Sequence, residues 1–482
     1  MNAPLSYLAI DLGASSGRAV VGTLDGDRIE LEEVHRFRTP MEEASGHLVW
    51  NLEALWSDVK TGVRRAVEAY PSIRSVSVDT WAVDYVPLGA DGTALRDPYA
   101  YRDERTRGYM AATLSRIPAA TLYERTGVQF LEFNTIYQVA ADLDLEPDLV
   151  EQTATRLLIA DYLLYRLSGE AVAERTMAST TGLFDVRTGD WDTDLIRQLG
   201  DDPGRWPRVV EPGTVLGPLR PALWNELATT SGAPPAVVAT CSHDTAAAIA
   251  AVPATGAWPW AYLSSGTWSL VGLELEAPLR SDAARRANFT NEAGLDGTTR
   301  FLKNRTGFWV LEECIREWAE EDGARPDYAT LVAEAAEAAP VSRYVALNEP
   351  QFALRGGMRD KLRAYAREHE VPLPETRGQL VRLILESLAE SYRRVLFDLE
   401  SLTGHQPAVL HIVGGGAYND LLNQLTADAC DVQVVVGPAE ATALGNLLVQ
   451  ARALGDLGDR SVRDVVRAST DLRTYAPAIA SP

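Results

Sequence analysis

The stretch Tyr7-Leu-Ala-Ile-Asp-Leu-Gly-Ala-Ser-Ser-Gly-Arg-Ala-Val-Val21 decides how this chain is read. An apolar run leads into a tight Gly/Ser turn, and a second apolar run leads out. Glycine lacks a Cβ, so backbone N–H groups can close around an anion, and serine hydroxyls add donors. The pattern returns at Ala261-Tyr-Leu-Ser-Ser-Gly-Thr-Trp-Ser-Leu-Val-Gly-Leu273. Two such loops in one chain point to two related domains gripping one polyphosphate. This is not a P-loop, because Gly-x4-Gly-Lys-Ser/Thr does not occur, nor a Rossmann fingerprint, because a strand rather than a helix follows the turn.

Working outward, Tyr7–Leu12 and Arg18–Leu24 read as paired strands, Asp25-Gly26 as a hairpin turn, and Arg28–Arg36 as a third strand. The period then changes. Leu52, Leu55, Trp56, Val59, Val63 and Val67 share one helical face, with Asn51 as the N-cap. Ile73–Asp79 returns to strand, with Val83–Leu88 expected next in the same sheet. Strands, a helix and a further strand predict a mixed α/β sheet. The proline-rich residues 201–236 read as turns and surface segments, and Val237–Cys241 as a short buried strand. An alanine-rich helix at Thr245–Ala251 and the second hairpin follow. Val381, Ile384, Leu385, Leu388, Tyr392, Val395, Leu396, Leu399 and Leu402 predict a long amphipathic helix ending at Gly404. Val409–Val413 then runs into Gly414-Gly415-Gly416 and a helical stretch. Strand, glycine turn and helix form a nucleotide-binding geometry, because a helix N-terminus carries partial positive charge.

At 482 residues the chain is long enough for two to four domains. Residues 1–244 and 245–482 are the expected pair, with the last helix packing back on the first. A hydrophobic fraction of 46% and a charged fraction of 23% are those of a globular protein. The net charge of −22 disfavours nucleic acid and anionic membrane as partners. Cys241, Cys314 and Cys430 are too scattered for a disulfide framework or a zinc site. No signal-peptide pattern and no run of about eighteen apolar residues is evident. The expectation is a cytoplasmic protein, monomeric or weakly dimeric.

Several motifs carry chemistry. Asp11-Leu-Gly-Ala-Ser-Ser-Gly-Arg18 reads as a phosphate loop with Asp11 reaching Mg²⁺ through water, and equally as a plain hairpin. Ser264-Ser-Gly-Thr267 offers the same two readings. Their coincidence with the glycine turn at 414–416 favours a nucleotide. In Ser242-His-Asp-Thr-Ala246, Asp244 opens a helix, either as a cap or as a general base for a hydroxyl proton during phosphoryl transfer. A carboxylate there is expected to stay ionised and fixed in direction. His243 either binds a sugar hydroxyl or is structural. Trp81 and Asp84 lie past a strand end, where α/β proteins bind ligands, although a buried tryptophan explains them as well. Tyr101-Arg-Asp-Glu-Arg-Thr106 is a polyol contact or a solvated loop.

These residues together carry a likeness. The chain resembles the FGGY carbohydrate kinases of the actin-like ATPase superfamily, and within them the branch that phosphorylates L-rhamnulose on O1 in L-rhamnose catabolism. The matching stretches are Asp11–Arg18, Asp79-Thr-Trp81 with Val83-Asp84, Tyr101-Arg-Asp103, Gln129-Phe-Leu131 with Phe133-Asn-Thr135, Ser242–Ala246, Tyr262–Leu270, Leu302-Lys-Asn304, His411–Gly416 and Asn423-Gln-Leu425. The resemblance implies an α/β fold of two ribonuclease H-like domains, each a mixed sheet flanked by helices, with the active site in the interdomain cleft. It implies that Ala14, Ser15, Ser16, Gly17 and Arg18 wrap the ATP phosphates. Thr267, Asn304, Glu312 and Gly415 line the nucleotide site. Ala82, His243, Asp244 and Thr245 meet the sugar, Asp244 is the proton acceptor, and Asp11 serves the Mg²⁺.

Two positions depart from the family. Ala82 stands where glycine is usual beside the sugar, and Glu312 where glutamine is usual, which adds negative charge near a nucleotide. Another ketose, such as L-fuculose or L-xylulose, remains an alternative substrate. An ATP-gated sugar sensor or a chaperone-type ATPase is the alternative outside sugar kinases. Both carry an extra domain, for which two lobes leave no room.

Overall fold

The computed structural model describes residues 4–39, 41–227, 232–255 and 259–478. The chain divides into two compact units. The first comprises Met1–Ala251, Glu274–Phe301 and Ala441–Ser469; the second comprises Val252–Leu273, Leu302–Glu440 and Thr470–Pro482. A single cut after Asp244 therefore does not describe the division, because three separate stretches build the first unit.

In the first unit a six-stranded sheet runs in the order Thr214–Pro218, Ala236–Ala239, Ser75–Thr80, Leu5–Leu12, Ser16–Asp25, Arg28–Arg38. The strand Leu5–Leu12 lies antiparallel to Ser16–Asp25 and parallel to Ser75–Thr80, which sets Asp11 opposite Asp79. The helix Leu52–Ala69 precedes that parallel partner. Asn51 caps it by accepting from the Ala54 N–H, and Leu52, Leu55, Trp56, Val59, Val63 and Val67 form its buried stripe. Two expectations are corrected here. Tyr85–Leu88 does not join the main sheet but pairs with Thr155–Leu158. Val83 has φ of 68°, and the Asp84 N–H closes onto the Ala82 carbonyl at 2.9 Å, so a strained γ-turn diverts the chain. Residues 201–236 are more than turns. Thr214–Pro218 is an edge strand with a bulge, and Pro221–Leu227 is a helix. Prolines hid them because an edge strand and a first helical turn both tolerate proline.

The helix Ala441–Ala453 belongs to this first unit. The Asn446 amide donates to Asp79 at 2.6 Å, and the Gln450 amide donates to the Leu8 carbonyl at 2.9 Å. A Cβ at Gly445 would stand 1.9 Å from the Ala247 carbonyl oxygen, so only glycine permits this approach to the helix Asp244–Ala250.

The second unit repeats the arrangement. Ala261–Ser265 lies antiparallel to Trp268–Leu275 and parallel to Val409–Val413, and Gln433–Val436 and Arg473–Tyr475 follow outward. The long helix Arg377–Thr403 precedes the parallel strand, opened by a Thr376/Gln379 capping box and closed at Gly404. Both units thus place a hairpin beside a parallel strand that arrives from a helix. Among the described residues no helix is long and apolar enough to cross a membrane.

Candidate active site

In the first unit, the strand Ala236–Ala239 delivers Ser242, His243 and Asp244 to the start of the helix Asp244–Ala250. A buried acid that the sequence reading overlooked holds this corner. Glu174 accepts from the Ser242 N–H at 3.0 Å and from the Thr176 hydroxyl at 2.5 Å. The Thr176 hydroxyl oxygen in turn accepts from the His243 N–H at 3.1 Å. The Thr80 N–H donates to the Ser242 carbonyl, tying in the end of strand Ser75–Thr80. Burial pushes Glu174 up to about 7.

His243, not Asp244, is the N-cap residue, and Asp244 is the first residue of the helix. Asp244 Oδ1 accepts from the Thr245 N–H at 2.5 Å and from the Thr245 hydroxyl at 3.1 Å, which fixes its direction. Its protonation departs from expectation. Burial first, and the Asp11 carboxylate second, push Asp244 up to about 7, so it is not held fully ionised at neutral pH. The helix dipole is the weaker influence against desolvation of this half-buried group and the repulsion of a second carboxylate.

His243 Nδ1 lies 3.1 Å from Arg300 Nη2. Arginine only donates, so Nδ1 accepts and Nε2 carries the proton. Burial and the Arg300 charge hold His243 well below the ordinary histidine range, which keeps it neutral. Its Nε2 stands 3.5 Å from Asp244 Oδ1. Arg300 is fully buried and is anchored by Glu292 at 3.1 Å and the Ala293 carbonyl at 2.9 Å. Neither Glu292 nor Arg300 was legible as a site residue, since Arg300 meets His243 across 57 positions of unremarkable chain and Glu292 approaches it only in the fold, at 3.5 Å.

Three carboxylates converge electrostatically in this unit. Arg18 donates to Asp11 at 2.6 Å. Asp79 is fully buried and raised well above the carboxylate range by burial, then by Asp11, with Asp244 adding to it. Its Oδ2 accepts from Asn446, whereas Oδ1 is buried with no hydrogen-bond partner. Among the described residues no group of three His, Cys, Asp or Glu forms a ready-made metal cage. An orphaned carboxylate oxygen beside a second carboxylate does suit Mg²⁺, which keeps several waters and takes one or two carboxylates together with substrate phosphates.

The loop after Asp11 is tightly built. The Gly13 N–H donates to the Ser16 carbonyl at 3.0 Å, and the Thr39 hydroxyl donates to the Gly13 carbonyl at 2.7 Å. Gly17 is demanded by packing, since a Cβ would lie 2.4 Å from the Phe37 ring. Ala14 and Ser16 are half-buried and Ser15 is exposed, which leaves the turn open to a ligand. Nearby in sequence, Asp84 is a buried hub. It accepts from Trp50 Nε1 at 2.7 Å, Trp81 Nε1 at 3.0 Å, the Tyr101 N–H at 3.1 Å and Gln138 Nε2 at 2.9 Å. Burial pushes it up to about 7. Trp81 and Asp84 therefore support the wall that carries half-buried Ala82. Asp103 accepts from His47, the Leu48 N–H and the Arg105 N–H, which is the work of a local cap.

The second unit gathers the other predicted residues around the hairpin end. The Thr267 carbonyl accepts from the Gly307 and Trp309 N–H groups, and the Gly266 carbonyl accepts from the Phe308 N–H. A Cβ at Gly307 would lie 2.4 Å from the Gly266 oxygen, and one at Gly416 would lie 1.9 Å from Ser265 Oγ. Gly415 instead faces open space. Within this unit the turns at Gly266, Gly307 and Gly416 are thus packed together, with Gly415 left accessible. Asn304 lies on the strand Thr299–Thr306, and Glu312 in the first turn of the helix Trp309–Asp322. The added charge of Glu312 is met by Arg325 at 2.7 Å.

Two family models match this chain. The N-terminal domain model of the FGGY family of carbohydrate kinases matches residues 6–251, and the C-terminal domain model matches residues 261–454. The chain is 40% identical over 473 residues to the Rhamnulokinase of Bacteroides thetaiotaomicron, covering 98% of this chain and 96% of that protein. Among solved structures it is similar to a gluconate kinase from Lactobacillus acidophilus, with a TM-score of 0.79 at 17% identity over 99% of this chain and 94% of that one. A xylulose kinase from Lactobacillus acidophilus gives 0.79 at 17% identity over 98% and 94% of the two chains. A glycerol kinase from Plasmodium falciparum with ADP gives 0.77 at 15% identity over 98% and 94%. With both domain models matched in order and a relative of this identity over nearly its whole length, the chain belongs to the FGGY family of carbohydrate kinases.

Proposed function

We propose that this protein transfers the γ-phosphate of ATP to O1 of L-rhamnulose, giving L-rhamnulose 1-phosphate and ADP. The substrate rests on the likeness to the Bacteroides thetaiotaomicron protein. The chemistry rests on one observation above others: Asp244 is oriented by Thr245 at a corner clamped by Glu174 and Thr176. Asp244 accepts the O1 proton while O1 attacks the γ-phosphorus, and the bond to the bridging oxygen of ADP breaks. Neutral His243 donates from Nε2, which suits a sugar hydroxyl oxygen. Thr245 and Ala82 complete the sugar contacts. Amides of Ala14, Ser15, Ser16 and Gly17, with Arg18, meet the phosphates, and Thr267, Asn304, Glu312 and Gly415 serve the nucleotide. Mg²⁺, when bound through Asp11 and Asp79, supplies charge neutralisation for the phosphates.

The test measures ADP release with Mg²⁺-ATP across a panel of ketoses, beside the variant Asp244→Asn. L-rhamnulose should give the highest kcat/KM, and the variant should lose kcat on the order of 10²–10⁴ with its KM for ATP nearly unchanged. ADP release that no sugar stimulates would remove the kinase reading. A tenfold preference for L-fuculose or L-xylulose would move the assignment to that ketose, with Ala82 the first position to examine.

A further inference from the structure

Along the strand Thr299–Thr306, successive side chains face opposite sides of the sheet, so Arg305 and Lys303 face away from Asn304. On that side lies the long helix Arg377–Thr403, where Lys303 reaches Asp398 at 3.1 Å. Arg305 is different. Its Nε is buried and donates to nothing among the described residues. A buried guanidinium nitrogen left unpaired is costly, so it calls for an acceptor.

Arg305 opens onto a hollow of about 150 Å³, lined also by Asn348, Ser387, Ser391 and Arg394. A second hollow of about 340 Å³ shares Arg305 and Arg394 with it, and adds Arg393, Phe397 and Asp398. The carboxylates nearby are already engaged. Glu390 accepts from Arg393 and Arg394, and Asp398 accepts from Lys303. Four cations (Lys303, Arg305, Arg393, Arg394) against two carboxylates leave an excess of two positive charges, on a chain whose formal net charge is −22. Ser387 Oγ accepts from the Val345 N–H and Ser391 Oγ from Asn348, so both hydroxyl hydrogens are free to donate into the hollow.

We propose that Arg305 and Arg394 form a second anion site, built for the phosphate monoester of a small phosphorylated metabolite. A phosphate dianion matches the charge excess, and arginine forks match its oxygens. The seryl hydroxyls supply further donors. Exposed Phe397 borders the second hollow, which has room for the organic part of the ester. A polyanion such as nucleic acid would meet the repulsion of the acidic surface around it.

The test is calorimetric titration of the full chain with inorganic phosphate and with glycerol 3-phosphate, under saturating Mg²⁺-ADP so that the glycine turns are occupied. Both probes should bind the native protein. The double variant Arg305→Gln/Arg394→Gln should weaken both by about tenfold or more, and Arg305→Lys/Arg394→Lys should retain part of the affinity. Unchanged affinity in the glutamine double variant overturns the proposal, as does absence of binding to the native protein at about 20 mM. Binding of inorganic phosphate without glycerol 3-phosphate overturns the monoester assignment. Should the double variant fail to fold, Arg394→Gln decides, because its side chain is 61% exposed and its loss leaves the core intact. Unaltered affinity for both probes there also overturns the proposal.

Discussion

At the scale of single residues, this protein keeps carboxylates where water cannot reach them. Asp84 and Glu174 each sit near 7, raised by burial. A raised folded-state pKa means that the folded chain binds protons the unfolded chain does not. That stability is fully present below the unfolded carboxylate value, and is lost as pH rises through about 7. His243, held neutral when folded, opposes the effect below its ordinary range, but it is one group against Asp84, Glu174, Asp244 and Asp79, all raised. The unfolding free energy of the metal-free protein should therefore rise from pH 8 to pH 6, by about 1 kcal/mol for each raised carboxylate. Glu174→Gln should lose about one such share in urea titrations at the two pH values. A native profile that is flat or falls toward pH 6 would contradict this account. The sequence pointed to Asp244 and His243 through their motif, but not to Glu174, whose neighbours along the chain carry no signature. Its role comes from hydrogen bonds to Ser242 and Thr176 that only the fold creates.

At the scale of elements, the helix Asp244–Ala250 is positioned by a contact made of backbone. Gly445, on the helix Ala441–Ala453, has no room for even a methyl group beside the Ala247 carbonyl. Gly445→Ala must push the two helices apart, and overpacking of this kind costs about 1–3 kcal/mol. The displaced helix bears Asp244 at its first position, so the variant should melt several degrees lower and also lose kcat. Thermal melts and steady-state rates on one preparation check both. A variant with native Tm and native kcat would show that the helices have slack. The helix after Asp244, the two hairpins and the glycine turn at 414–416 were readable from composition and turn residues, whereas the helix Ala441–Ala453 was not. The strand Thr214–Pro218 was not, because a proline-bearing edge strand reads locally like a loop.

At the scale of the whole molecule, the first unit is completed by residues far along the chain. Ala441–Ala453 buries Leu444, Leu447, Leu448 and Val449, worth about 6–12 kcal/mol at typical burial values, which rivals the total stability of a domain. Through Asn446 and Gln450 it also donates to Asp79 Oδ2 and the Leu8 carbonyl and accepts from Ser75. A chain ending after Glu440 should therefore lose the cooperative melt of the first unit and precipitate on expression. A soluble product with an unaltered melting profile would refute that dependence.

The sequence by itself determined the two hairpins, their glycine turns, the catalytic candidate Asp244 and the family, because each of these is written in neighbouring residues whose local chemistry is legible. Only the tertiary structure decided the protonation of Asp244, the neutral state and tautomer of His243, the pairing of Glu312 with Arg325 and the membership of the units. Those properties depend on burial and on partners distant in the chain. A pKa or a buried hydrogen bond is set by what the fold brings within a few ångströms, and no local pattern encodes that.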